Sequence, residues 1–239
     1  MTAPTADLHE LRVQLERDFA DLLAPDLKAN SASKIHIDMT RETDLTTSGE
    51  FAGLHSPRNH RWLRSYIPNW TGPAPTMLID DATITNDCGG RWSEMKDRFV
   101  SIATHELGHV CCVPGLFDHD ADLPPEVAEV VRQFFTESLA TKSTFFSSSP
   151  RVGHGPEWIR TCCHLVHRMQ QRGFEVRLPQ VIDNDYYEIS STSKYSHALG
   201  DECERLADWP ICSIASLPPP QSFLDLWNAD CAEWPDGSF

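Results

Sequence analysis

Residues 93–112, SEMKDRFVSIATHELGHVCC, decide how the rest of the chain is read. Met95, Phe99, Ile102, Ala103, Leu107 and Val110 recur at three- and four-residue spacings, which predicts a helix with one apolar face. Ser93 is a capping residue type, Glu94 falls in the first turn, and neither Pro nor Gly interrupts before Gly108. On that helix His105 and His109 stand one turn apart and project from the same side. Two imidazoles so placed can share one tetrahedral Zn²⁺, at Zn–N distances of about 2.0–2.1 Å. Glu106 is then held beside the ion as a general base rather than as a ligand. The pattern H-E-x-x-H therefore predicts a site that activates water for attack on a peptide carbonyl. The plain alternative is a half-buried helix whose two histidines and glutamate hold no metal.

A chain of 239 residues with 40% apolar side chains and seven Trp is enough for one packed domain, which excludes overall disorder. The 35 acidic against 20 basic side chains leave a formal charge of −15, which argues against a nucleic-acid partner and against an anionic membrane surface. Basic residues gather only in loose sets such as Arg58, Arg61 and Arg64, or Arg168 and Arg172. The N-terminal residues lack the basic and apolar regions of a signal peptide, and no apolar run approaches the roughly 18 residues of a membrane span. None of the eight cysteines forms a C-x-x-C pair, and Cys111-Cys112 and Cys162-Cys163 sit among apolar residues. They read as reduced, buried thiols, so the expected compartment is the cytoplasm.

Outward from the central helix, residues 6–22 carry Leu8, Leu11, Val13, Leu15, Phe19 and Leu22 at roughly helical spacing, which predicts a first amphipathic helix. Ile35 and Ile37 alternate with polar residues in a short strand at 34–39, and Met77, Leu78, Ile79 and Ile84 predict a second strand over 76–85. The polar, Gly- and Pro-rich stretch 40–75 reads as loop with short elements. After the acidic loop 113–123, Pro124-Pro125-Glu126 opens a helix to about 141, and a Ser-rich connector follows at 143–152. Gly155, Pro156 and Glu157 then start a well-marked helix that Gly173 stops. Residues 174–191 read as strand or extended chain, and 196–206 as one more helix. The expected organisation is a single domain over 1–209, with its core at about 75–172, and a peripheral extension over 210–239.

A catalytic zinc takes three protein ligands and leaves a fourth position open. The metzincin spacing fails, because position 112 is Cys and position 115 is Gly. Three candidates remain. His119 lies in the acidic loop. Glu137, within Thr136-Glu137-Ser138-Leu139-Ala140-Thr141, looks like the second-helix E-x-x-A-D pattern of gluzincins, with Thr141 in place of the acidic residue. His154 is the chosen third ligand. It belongs to Gly153-His154-Gly155-Pro156-Glu157-Trp158, which resembles the H-G-x-x-[FW] segment of SprT-like zinc metallopeptidases. That resemblance covers roughly 75–172. It implies an α+β, zincin-like domain in which a small sheet packs on the helix carrying H-E-x-x-H. It further implies metal ligands His105, His109 and His154, with Glu106 catalytic and the aromatic packed beneath the third histidine. The helix at 125–141 would be an insertion, and the zinc ribbon and basic surface common in that family have no counterpart here, so a DNA-linked substrate is not carried over.

The expected function is zinc-dependent hydrolysis of peptide bonds in a protein or peptide substrate. His164 and His167 are candidates for an oxyanion contact or a contact behind the ligands, although solvated histidines are the expectation. Tyr186, Tyr187 and Tyr195 are further oxyanion candidates. Peptide deformylase also uses H-E-x-x-H with an upstream cysteine, for which Cys88 alone is available. The non-enzymatic alternative is a zincin-fold binding or regulatory module with a structural zinc, against which an intact Glu106 argues.

Overall fold

The computed structural model describes residues 4–23, 35–40, 52–55, 75–112, 155–182 and 189–233. Helix α1 (Pro4–Leu23) buries Leu8, Leu11, Leu15, Phe19, Leu22 and Leu23 on one stripe. Strands β1 (His36–Thr40), β2 (Ala52–His55) and β3 (Thr76–Asp80) form a sheet in the order β1-β3-β2. β1 runs parallel to β3 with Ile37 opposite Met77, and β2 runs antiparallel to it with Leu54 opposite Met77. Among the described residues, the outer edge of β1 is met by side chains of α1. The Ile37 amide donates to Glu16 Oε1 (2.8 Å), and Arg12 Nη1 donates to the Ile37 carbonyl (2.8 Å). An exposed sheet edge invites foreign strands, and this bracket blocks it.

β3 ends earlier than the 76–85 reading because Asp80 turns the chain. Its Oδ1 accepts the amides of Ala82 (2.9 Å) and Thr83 (3.0 Å), capping helix α2 (Asp81–Asp87). Gly89 (φ 55°) and Gly90 (φ 72°) reverse the chain into α3 (Trp92–Cys112), the helix expected from its apolar spacing. Helix α4 (Pro156–Gln171) has Gly155 before it and Pro156 in its first turn. It ends where expected, with Gly173 N–H on the Gln170 carbonyl (2.9 Å) and Phe174 N–H on that of Met169 (3.1 Å).

The 174–191 segment departs from its strand reading. Residues 178–182 are a short helix, α5 (Leu178–Ile182), and α6 (Ile189–Arg205) starts upstream of residue 196. Short apolar runs such as Val181-Ile182 carry no period that separates helix from strand. Residues 211–233 form α7 (Ile211–Ser216) and α8 (Gln221–Glu233), with Ile211, Ile214, Phe223 and Trp227 buried in the same apolar cluster as α3 and α4.

α3 is the hub: it packs against β2, β3, α1, α4, α5 and α7. The result is a mostly helical protein whose small sheet lies against the helix that carries H-E-x-x-H. Among the described residues, no helix is long and apolar enough to cross a membrane.

Candidate metal centre

His105, Glu106 and His109 lie near the C-terminal end of α3, where one side of the helix meets α4 and another meets α5. Glu106 and His109 are buried, and His105 is half-buried. The Nε2 atoms of the two histidines face each other at 3.1 Å. An ion at about 2.0–2.1 Å from each of two tetrahedrally placed nitrogens would hold them roughly 3.3–3.4 Å apart. At 3.1 Å the two nitrogens are within hydrogen-bond distance of each other, a few tenths of an ångström closer than zinc would hold them.

His105 is oriented from behind. Its Nδ1–H donates to the Val181 carbonyl of α5 (2.7 Å), which fixes the tautomer and leaves the Nε2 lone pair on the side of His109. The Trp158 indole supports both rings. It stacks on His109 (centroids 5.2 Å apart, planes 22° apart) and meets His105 edge-on (4.9 Å, 68°). Gly108 makes room for this. A Cβ at Gly108 would lie 2.8 Å from Cys162 Sγ and 2.9 Å from Trp158 Nε1. The small residue inside H-E-L-G-H thus lets side chains of α4 pack directly on the α3 backbone.

The other candidates fall as follows. His119, Glu137 and His154 lie outside the described residues, as do the helix expected at 125–141 and Tyr186 and Tyr187. Among the described residues, no group of three or more His, Cys, Asp or Glu gathers as a complete metal site. Cys112, one turn beyond His109, donates its thiol to Thr161 Oγ1 (3.4 Å), and burial pushes that thiol up to about 12. Cys88 sits before the N-terminus of α3, about 20 Å along the helix axis from His105, too far to share an ion with it. The cysteines 88, 111, 112, 162, 163, 203 and 212 are all free thiols.

His164 is not solvated as expected; it is fully buried. It belongs to a polar stripe on the face of α4 turned away from α3. His164 Nε2–H donates to Glu202 Oε1 (2.9 Å), and Arg160 Nε donates to the same oxygen (2.7 Å). Arg160 Nη1 also reaches the carbonyls of Ile214 (3.1 Å) and Leu217 (2.8 Å). One more turn along, Arg168 Nη2 caps the carbonyls of Leu206 (2.9 Å) and Trp209 (2.6 Å). Burial pulls His164 below the usual histidine range, against the opposing pull of Glu202. Burial alone would raise Glu202, but the hydrogen bonds from Arg160 and His164 outweigh it and hold the carboxyl low. His167 instead lies at the surface, beside Gln171 (2.9 Å). Tyr195 is buried and donates its hydroxyl to Asp230, which makes it a tie between α6 and α8. Neither His164 nor Tyr195 faces the histidine pair. The Val181 carbonyl was missed in the sequence, since a backbone acceptor leaves no trace in residue type.

No family model, curated protein or solved structure matches the chain.

Proposed function

We propose that the chain is a zinc-dependent metallopeptidase of zincin-like fold, acting in the cytoplasm on a protein or peptide substrate. The observation that carries this reading is the convergence of His105 Nε2 and His109 Nε2 at 3.1 Å, with His105 fixed from behind by the Val181 carbonyl. His105 and His109 would hold the ion, with His154 as third ligand. In support of His154, Gly155 follows it directly in sequence and lies one helical turn from Trp158, which touches both imidazoles.

Zinc bound there supplies Lewis-acid activation of water. Glu106, adjacent in sequence to His105, takes the proton from the attacking water as its oxygen bonds to the carbonyl carbon. It returns that proton to the amine nitrogen as the C–N bond breaks.

The test uses purified full-length protein. Metal analysis should find one zinc per chain that is lost in His105→Ala and in His109→Ala. Glu106→Gln should keep the zinc while hydrolysis of a responsive peptide falls by orders of magnitude. Absence of zinc together with no rise in melting temperature on its addition would end the metallopeptidase reading. Zinc binding with no hydrolysis of any protein or peptide by the parent would favour the binding module with a structural ion.

A further inference from the structure

The Trp158 side chain contacts the histidine pair in a way that core filling alone does not demand. It stacks on the His109 ring, meets the His105 ring at 68°, and is buried beside Gly108 where α4 packs on α3. We propose that Trp158 is a positioning residue for the metal pair, which holds the two imidazoles convergent and favours the metal-bound state of His109. The inference rests on the zinc reading above.

The physical argument is differential. An indole face carries negative potential, so it attracts electron-poor groups laid over it. An imidazole that donates its lone pair to a dication becomes electron-poor, and the near-parallel stack on His109 strengthens when the ion binds. A contact stronger in the loaded state than in the empty one raises affinity for the ligand that loads it. The edge contact to His105 adds restraint from a second direction. Together with the Nδ1–H bond to Val181 it leaves that ring little freedom to swing away from His109.

Trp158 can play this part because it is itself immobilised. It stands in the first turns of α4, and Arg160 on the far face ties that helix to Glu202 and to the carbonyls of Ile214 and Leu217. Gly108 is the matching adaptation on α3, since any Cβ there would press on the indole.

The experiment measures zinc affinity by chelator competition, with thiols kept reduced, for the full-length parent and for Trp158→Phe, Trp158→Leu and His105→Ala. Melting temperatures of the metal-free proteins are recorded alongside. The His105→Ala protein defines zinc taken up elsewhere, for instance by cysteines. Trp158→Leu should weaken the His105-dependent zinc by about 10–100-fold, the range typical for groups that support ligands, with Trp158→Phe in between. A residue that merely fills space would lower the metal-free melting temperature and leave zinc affinity alone. Affinity within about threefold of the parent in a folded Trp158→Leu overturns the proposal. Should that variant fail to fold, the same result in Trp158→Phe overturns it. A parent that binds no His105-dependent zinc sinks the zinc reading and this inference with it, a failure distinct from equal affinity in the parent and the two Trp158 variants.

Discussion

Replacing Arg160 with Met tests what holds α6 and α7 to the helix that backs the histidine pair. The guanidinium makes three hydrogen bonds: Nε to Glu202 Oε1 at 2.7 Å, and Nη1 to the carbonyls of Ile214 at 3.1 Å and Leu217 at 2.8 Å. Only 4% of the Arg160 side chain and 7% of that of Glu202 are exposed, so water replaces none of these contacts cheaply. Met fills most of the volume and supplies no donor. It leaves Glu202 charged with a neutral imidazole as its remaining partner, and strips the guanidinium from two carbonyls. Removing one member of a buried pair costs about 3–5 kcal/mol, which is a large part of a typical stability of about 5–15 kcal/mol. Glu202→Gln keeps an acceptor for Arg160 and should cost less, about 1–3 kcal/mol. In the double variant the uncompensated carboxylate is gone, so the loss should fall short of the sum of the two singles by more than about 0.5 kcal/mol. Urea unfolding of the four proteins, with slopes checked for equality, gives the cycle. A loss below about 1 kcal/mol in Arg160→Met, or strict additivity, would refute the reasoning.

Gly108→Ala should destabilise although alanine is the better helix former. Pressing a Cβ onto Cys162 and Trp158 costs about 1–3 kcal/mol, against a propensity gain of about 0.8–1 kcal/mol; a higher melting temperature in the variant would contradict this. Acid should weaken the fold. The unfolded chain protonates His164 near the ordinary histidine value of about 6.5 while burial holds the folded value lower, so its contribution is complete above that pH and declines as pH falls below it. Glu202, held low in the folded state, loses its contribution in the same direction at lower pH. The fall should not exceed about 1.4 kcal/mol per pH unit for the histidine, and His164→Gln should flatten denaturation midpoints measured from pH 7 to 5; an unchanged slope rules the histidine out. His154→Ala should cost far more zinc affinity than Glu137→Ala, and the reverse order would make the site gluzincin-like.

The parts of this fold legible in sequence are those where one physical rule acts alone over many residues. α3 follows from six apolar positions at helical spacing, and α4 from a Pro start and a Gly stop. β2, α5 and α7 are too short for any period to emerge, and packing against α3 and α4 decides them. Asp80 illustrates a different loss. It reads as one polar residue within an apolar strand, yet its two amide bonds are what end β3 and begin α2.

The candidate site divides along the same line. His105, Glu106 and His109 are legible because a fixed spacing on one helix sets their geometry without help from elsewhere. Their support is not, because each part of it comes from a distant element whose relevant feature is hidden. Val181 contributes a carbonyl, which any residue carries. Trp158 is read as an apolar position of α4, and its role beneath the imidazoles depends on how closely α3 approaches at Gly108. Arg160, His164 and Arg168 have the composition of a solvent face. Only the placement of Glu202 and of carbonyls in α7 and its neighbours turns that face inward. These observations connect. The polar stripe fixes α4 against the C-terminal helices, α4 in turn fixes Trp158, and α5 is wedged among α3, α4 and α6 with the Val181 carbonyl aimed at His105. The convergence of two imidazoles on one helix is therefore a property of the whole core, and it depends on residues far from the motif that announces it.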